Sequence, residues 1–219
     1  MGTYLGLDGF RGGWVAAWIN ERGNHWFDYS PNLKRLLSYP HDMAMIDIPI
    51  GLPDRGYREC DVQVREWLGP CVFLGARRGL LDFRSQAEAN QHYWDHDEPG
   101  VSSQLWCIRC KIKEVDDVMT PERQKVLRET HPELVLWHLN GKVMLDPKKT
   151  DVGRSQRLAI LNRRGFTKAA HWLNLRYGTG IGRDDLIDAC VCAIAARDAR
   201  DSIGGPCQDR RGLRMEMWY

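Results

Sequence analysis

The sequence predicts a mixed α/β domain, and three features of its pattern lead to that prediction. Short apolar segments at 4–8, 14–20 and 25–29 are separated by glycine-rich or polar turns, which is typical of a three-stranded antiparallel meander. The segment MAMIDI at 43–48 is almost wholly apolar, as expected of a strand buried on both faces. The segment 184–199 is the clearest helix of the chain. Strands and helices do not alternate regularly, so the order differs from that of a Rossmann sheet.

Proline placement and apolar spacing predict the remaining elements in order. Pro31 opens a short helix that runs to 38, and Pro49 and Pro53 then impose an extended loop. Further helices are predicted at 59–68, 85–95, 102–117, 132–140, 151–164 and 168–176, and further strands at 126–130 and 214–219. No repeat or linker interrupts the chain, so we expect one domain over 1–219, with a helical insertion around 54–125.

Composition excludes several classes of protein. The 219 residues are 43% hydrophobic and carry a net charge of +2, which excludes a disordered chain and a strongly basic one. No apolar run is long enough for a membrane helix, and the opening MGTYLGLDGFRGG lacks the pattern of a secretory signal, so we expect a cytoplasmic protein. The seven cysteines are expected to be free thiols. The pair Cys107 and Cys110 has no second CxxC to complete a zinc site.

Several carboxylates stand where an apolar core is expected. Asp47 interrupts the buried fourth strand, where a desolvated carboxylate costs several kcal/mol unless it is paired or binds a metal. Asp8 closes the first strand, although an Asp-Gly hairpin turn also accounts for it. On the last helix, Asp184, Asp185 and Asp188 can face one way. The first two also suit the positive end of a helix, and Asp184 suits an N-cap.

Mutually repelling carboxylates at one sheet edge suggest a divalent cation. Asp8, Asp47, Asp185 and Asp188 are hard oxygen donors of the kind that Mg²⁺ or Mn²⁺ prefers. Two such ions about 4 Å apart can hold the attacking and leaving oxygens of a phosphoryl displacement. His131 is either a polar loop residue or a general base.

A basic segment lies between 148 and 176. It holds eight basic side chains against the single acid Asp151, a pattern that suits a phosphate backbone or an ordinary solvated helix surface. The basic residues are Lys148, Lys149, Arg154, Arg157, Arg163, Arg164, Lys168 and Arg176. Nearby, His171, Trp172 and Tyr177 either stack on bases or fill the core.

Motifs along nearly the whole chain resemble one known family. They are LDGFRGGWV (7–15), IDIPIGLP (46–53), Cys60-Asp61, Arg65 to Leu68-Gly69, Val72-Phe73 before Arg77, HPELVLWHLNG (131–141), Lys148-Lys149 to Gly153, and DDLIDA (184–189). The chain is similar to domain-of-unknown-function family 429, described as a predicted ribonuclease-H-like nuclease family. The resemblance implies a ribonuclease-H-like fold, with a mixed five-stranded sheet of three antiparallel strands plus parallel additions, flanked by helices.

The resemblance also implies roles for individual residues. Asp8, Asp47, Asp185 and Asp188 take the positions of the metal-binding acids, with Asp47 standing where many nucleases of this fold have Glu. Glu133, an ordinary first-turn helix residue by position, and Lys148 match family motif positions without an assigned role, and we treat both as accessory residues.

The expected function is a metal-dependent nuclease. Asp8 would bridge two ions, Asp47 and Asp188 would each hold one, and Asp185 would assist. The nucleic acid would be held by basic residues that include Lys149, Arg154 and Arg157.

Two other functions stay open at this point. One is a nucleotide-binding phosphotransferase or phosphatase, in which the hairpin 9–13 and Arg11 would hold phosphate. Against it, an ATP site of the sugar-kinase type needs two such domains. The other is a non-catalytic partner-binding protein that retains the fold.

Overall fold

A five-stranded mixed sheet forms the centre of the fold. The structure is a computed structural model that describes residues 2–175, 177 and 180–219. The strands are β1 (Thr3–Phe10), β2 (Gly13–Asn20), β3 (His25–Ser30), β4 (Met43–Ile46), β5 (Leu127–Glu129), β6 (Ser202–Ile203) and β7 (Met217–Trp218). The helices are α1 (Leu33–Leu37), α2 (Glu59–Leu68), α3 (Gln86–Asp95), α4 (Ser103–Val118), α5 (Pro132–Leu139), α6 (Asp151–Arg163), α7 (Ala169–Trp172) and α8 (Arg183–Asp198). The sheet has the order β3-β2-β1-β4-β5, which confirms the predicted α/β architecture, and β6 pairs with β7 in a separate small sheet.

The pairing of the strands brings three of their carboxyl ends to one edge of the sheet. β1, β2 and β3 form the antiparallel meander, in which Phe10 lies opposite Gly13 across the first turn. β4 adds parallel to β1, with Leu7 opposite Ile46, and β5 adds parallel to β4, with Ile46 opposite Glu129. Residues that follow Leu7, Ile46 and Glu129 therefore lie near one another.

Helix α8 packs directly on the central strand. A Cβ atom at Gly6 would lie 2.1 Å from both the carbonyl oxygen of Ala189 and the nitrogen of Ala193, so only glycine allows this approach. Small side chains line the contact, and α8 is buried from Leu186 to Ala196. This close packing fixes the position of α8 along β1, and so places the first turn of α8 next to the edge of the sheet.

The chain divides into two compact units. The sheet unit comprises Met1–Ile48, Val126–Asp201 and Trp218–Tyr219, and the insert unit comprises Pro49–Lys125 and Ser202–Met217. The insert unit contains α2, α3 and α4, in the region where a helical insertion was predicted. The return of 202–217 to this unit was not predicted from the sequence.

Buried ion pairs organise the interior of the insert unit. Arg58 and Asp61 are both buried and form a salt bridge at the start of α2. Arg78 bridges Asp116 (2.9 Å) and Asp209 (2.6 Å). The motif residue Asp61 thus has a structural partner in this unit.

Several predicted elements are shorter than expected, two of them by more than half. The helix predicted at 168–176 is limited to Ala169–Trp172. The carbonyl of Leu173, the next residue, accepts a hydrogen bond from the Arg183 side chain. Arg176 lies outside the described residues. The strand predicted at 214–219 is limited to Met217–Trp218, because Arg214 instead makes an isolated bridge to Gln208.

Two further features concern membranes and thiols. Among the helices that the structure describes, none combines the length and the apolar character needed to cross a bilayer. All seven cysteines are free, and Cys107 and Cys110 lie exposed on α4.

Candidate functional site

Four acidic side chains gather where β1, β4 and the first turns of α8 meet. Asp8 lies in β1, and Asp47 directly follows β4 and donates its backbone N–H to the carbonyl of Leu7 at 3.1 Å. Asp185 and Asp188 come from α8. Burial is the main cause that raises the pKa of Asp8 well above its usual value, and the charges of Asp47, Asp188 and Asp185 raise it further. The other three predicted acids therefore lie within electrostatic reach of Asp8.

Crowding and desolvation make the charged form of these acids costly. Burial raises the pKa of Asp188 to about 6, although the neighbouring Lys148 opposes the shift. Desolvation also raises the pKa of Asp47, against the charges of His131 and Lys148. Within the described residues, the buried Oδ1 of Asp188 has no hydrogen-bond partner. Such an unpartnered oxygen is unfavourable in the protein as it stands and is free to accept a cation.

Asp185 has a structural task at the start of α8 in addition to its place in the cluster. Its carboxylate accepts a hydrogen bond from the backbone N–H of Gly182 at 2.7 Å, which satisfies one of the free amides at the start of α8. Desolvation raises the pKa of Asp185 in spite of this hydrogen bond. The alternative explanation of Asp185 as a helix-start residue is therefore compatible with its place beside the site.

Lys148 brings a positive charge into the acidic cluster. Its Nζ donates to Oδ2 of Asp188 at 2.9 Å, and its side chain is 40% exposed whereas that of Asp188 is 6% exposed. Desolvation opposes the charge of Lys148, but the carboxylates of Asp188, Asp47 and Asp8 together raise its pKa. Residues 40 positions apart in the chain form this pair, so no local pattern predicted it.

Glu133 and Arg157 form a buried pair beside the cluster. Both carboxylate oxygens of Glu133 accept from Nη2 of Arg157 at 2.8 Å, and Nη1 of Arg157 donates to the carbonyls of Asp146 (2.8 Å) and Gly153 (2.9 Å). Arg157 is only 3% exposed. The guanidinium of Arg157, which was predicted to hold substrate, joins α5, α6 and the loop before α6 in this structure.

His131 directly precedes α5 and lies at the edge where β5 ends. Its Nδ1 is buried and has no hydrogen-bond partner among the described residues. A positive charge on its ring lowers the pKa of Asp47, so the ring lies within electrostatic reach of that carboxylate.

The other predicted substrate-binding residues lie in different settings. Arg11 is exposed in the turn between β1 and β2, and Lys149 is exposed in the loop before α6. Arg154 pairs with Asp151 at 2.8 Å within α6, and its side chain is 24% exposed. Trp172 is buried and packs against Phe27, His25 and Phe166, so it fills the core of the sheet unit rather than offering a stacking surface.

The donor chemistry of the cluster fits a hard divalent cation. Carboxylate oxygens are the ligands that Mg²⁺ and Mn²⁺ prefer, and Asp188 supplies one that is buried and unpartnered. Over the described part of the chain, no set of three or more His, Cys, Asp or Glu side chains is already arranged as a metal site. A cation would therefore have to draw the carboxylates closer together.

Comparisons with known proteins give one match. Neither curated proteins nor solved structures gave a significant match. A family model described as "Protein of unknown function (DUF429)" matches residues 6–209, which include the whole acidic cluster. The chain therefore belongs to the DUF429 family.

Proposed function

We propose that this protein is a metal-dependent phosphodiesterase that hydrolyses nucleic acid, built on a ribonuclease-H-like fold. One observation carries the proposal: Asp8, Asp47 and Asp188 meet at a single sheet edge, and an oxygen of Asp188 is buried without a partner. Buried carboxylates that repel one another in this way are more typical of a cation-binding site than of a structural core. The strand order and the helix on the central strand support the same fold assignment.

Asp8, Asp47 and Asp188 are the residues that would hold the cation, with Asp185 at the margin of the site. When bound, Mg²⁺ or Mn²⁺ supplies positive charge that polarises a phosphate oxygen and makes a nearby water more acidic. Asp8 and Asp188 are buried, with exposed fractions of 8% and 4%, so little bulk water would screen that charge.

The reaction consumes one water molecule for each bond cleaved. The oxygen of water bonds to phosphorus, the bond from phosphorus to the departing oxygen breaks, and the departing oxygen receives a proton. In its neutral form, His131 would be the base that accepts the proton that the water loses. The exposed Lys149 and Arg11 are cations available to contact the phosphate backbone.

Cleavage of labelled single- and double-stranded DNA and RNA in Mn²⁺ tests the proposal. We expect wild-type protein to cleave at least one of them, and Asp8→Asn and Asp47→Asn to be inactive although folded. Asp184→Asn is the matched control, because it removes the same charge from a residue in the first turn of α8 that is not one of the three proposed cation ligands. Absence of cleavage by wild-type protein, with calorimetric binding of a nucleotide, would favour the phosphotransferase or phosphatase alternative. Absence of both would favour a non-catalytic partner-binding protein.

A further inference from the structure

A lysine ammonium contributes one positive charge to the acidic cluster. Nζ of Lys148 is 2.9 Å from Oδ2 of Asp188, while Oδ1 of the same carboxylate has no partner among the described residues. One oxygen of Asp188 is therefore already used by a cation that belongs to the chain, and the other is free. Lys148 also acts electrostatically on Asp47, so its charge serves the cluster and not one residue alone.

The loop that carries Lys148 is held firmly in place. The Arg157 guanidinium, fixed by Glu133, binds the carbonyl of Asp146 two residues before Lys148. On the other side, the Thr150 side chain donates to the carbonyl of Pro147 and accepts from the N–H of Gly153. These bonds anchor the backbone on both sides of the lysine.

Gly153 shows how closely this loop lies against α6. A Cβ atom at that position would come within 2.3 Å of the carbonyl oxygen of Pro147 and 2.5 Å of that of Asp146. Both neighbours are backbone atoms, which cannot move aside as a flexible side chain would. A lysine on an anchored backbone loses less conformational entropy on holding its charge in place than a lysine on a free loop.

We infer that Lys148 takes the place of one of two catalytic cations, so that the site binds a single divalent ion beside a fixed ammonium group. The ion would be held by Asp8, Asp47 and Oδ1 of Asp188, and Lys148 would neutralise Oδ2 of Asp188 and face the phosphate. Negative charge that develops on the phosphate oxygens would then meet one divalent ion and one ammonium. Glu133 and Arg157 become positioning residues, which gives a reason for Glu133 at a family motif position.

The inference rests on the proposed function, since it divides the charge of that same site between an ion and a side chain. It replaces the expectation of two bound metals with one. It also predicts a measurable property of the protein without any substrate, namely the number of Mn²⁺ ions bound per chain.

Titration calorimetry with Mn²⁺, checked by the electron paramagnetic resonance signal of free Mn²⁺, tests the inference. Wild-type protein is expected to bind one Mn²⁺ per chain. Lys148→Gln should either bind a second Mn²⁺ or bind the first about tenfold more tightly, because removing the ammonium leaves the carboxylates with more negative charge. Lys148→Arg keeps the charge and should bind one ion. Lys149→Gln removes the same charge from the exposed neighbouring residue and should leave number and affinity near those of wild type.

Each contrary outcome has a distinct meaning. Two Mn²⁺ ions in wild-type protein would overturn the inference and leave the metal-dependent function standing. Equal number and affinity in Lys148→Gln and wild type would also overturn it. No binding at millimolar Mn²⁺ would remove the proposed function and the inference together. Circular dichroism checks that Lys148→Gln is folded. Lys148→Met serves as a second neutral variant. The number of Mn²⁺ ions bound by wild-type protein does not depend on the folding of either variant.

Discussion

Replacing Asp188 with asparagine should stabilise the protein when no metal is present. Burial raises the pKa of Asp188 from 3.8 to about 6. At pH 7.5 the side chain is charged, and this shift lowers the unfolding free energy of the protein by about 3 kcal/mol. Asparagine keeps the shape and removes the charge. The pKa of about 6 already includes the opposing charge of Lys148, so the loss of that ion pair is contained in this figure. The expected gain is therefore about 3 kcal/mol, or a rise of roughly 6–12 °C in Tm for a chain of this size.

The pH dependence of this gain follows from the sign of the shift. The folded-state pKa of Asp188 lies above its unfolded value, so the destabilisation is present above about pH 6 and disappears as the pH falls toward 4. The difference between Asp188→Asn and wild type should therefore be largest at pH 7.5 and close to zero at about pH 4.

Thermal and urea unfolding of both proteins in EDTA, at several pH values, measure this difference. Asp184→Asn is the control for a charge removed from the same helix, one turn before Asp188. Mn²⁺ should raise the Tm of wild type, because a ligand that binds only the folded protein stabilises it, and should raise that of Asp188→Asn less. If Asp188→Asn is less stable than wild type without metal, Asp188 is a structural partner of Lys148 and the reasoning is refuted.

Three further predictions concern packing, the buried pair and the thiols. Gly6→Ala should lower the unfolding free energy by about 3 kcal/mol, because its Cβ would meet the α8 backbone, as urea denaturation can measure. Glu133→Gln should lower it by roughly 3 kcal/mol, because the buried Arg157 loses its countercharge, and should lower activity in the same assay. Replacing Cys107 and Cys110 together with serine should change neither Tm nor cleavage, and metal analysis of wild-type protein should find no stoichiometric zinc.

The control for the first of these predictions comes from the same chain. Gly79→Ala places a Cβ at an ordinary 3.6 Å from the Tyr93 hydroxyl, so it should be tolerated. A Gly6→Ala variant as stable as Gly79→Ala would contradict the packing of α8 on β1. Glu133→Gln with unchanged stability would mean that the buried Arg157 does not need its countercharge.

The strands and the acids were predictable because their signals are local. The apolar run at 43–48 predicts a buried strand, and Asp47 is conspicuous because a carboxylate interrupts that run. Asp188 was identified from the spacing along one helix, which depends only on neighbours three and four residues away. Parallel pairing of β4 with β1 then places Asp47 beside the first strand, as expected of strands that share a carboxyl edge.

The contacts that complete the site join distant parts of the chain, and their signals are not local. Lys148 and Asp188 are 40 residues apart, and Glu133 and Arg157 are 24 apart. Counting charges over 148–176 treated Arg157 as one of several surface cations, because a charge count does not show which side chain is buried. The return of 202–217 to the insert unit has the same cause, since it depends on contacts with residues far earlier in the chain.

A crystal soaked in Mn²⁺ and measured at a wavelength where manganese scatters anomalously tests the central claim most directly. The account predicts one anomalous peak per chain, ligated by Asp8, Asp47 and Asp188, with the Lys148 ammonium still on the other oxygen of Asp188. Two results would contradict the claim that this sheet edge is a cation-binding active site. One is an anomalous peak at another place in the protein. The other is no peak at millimolar Mn²⁺, with the four carboxylates no closer together than in the metal-free protein.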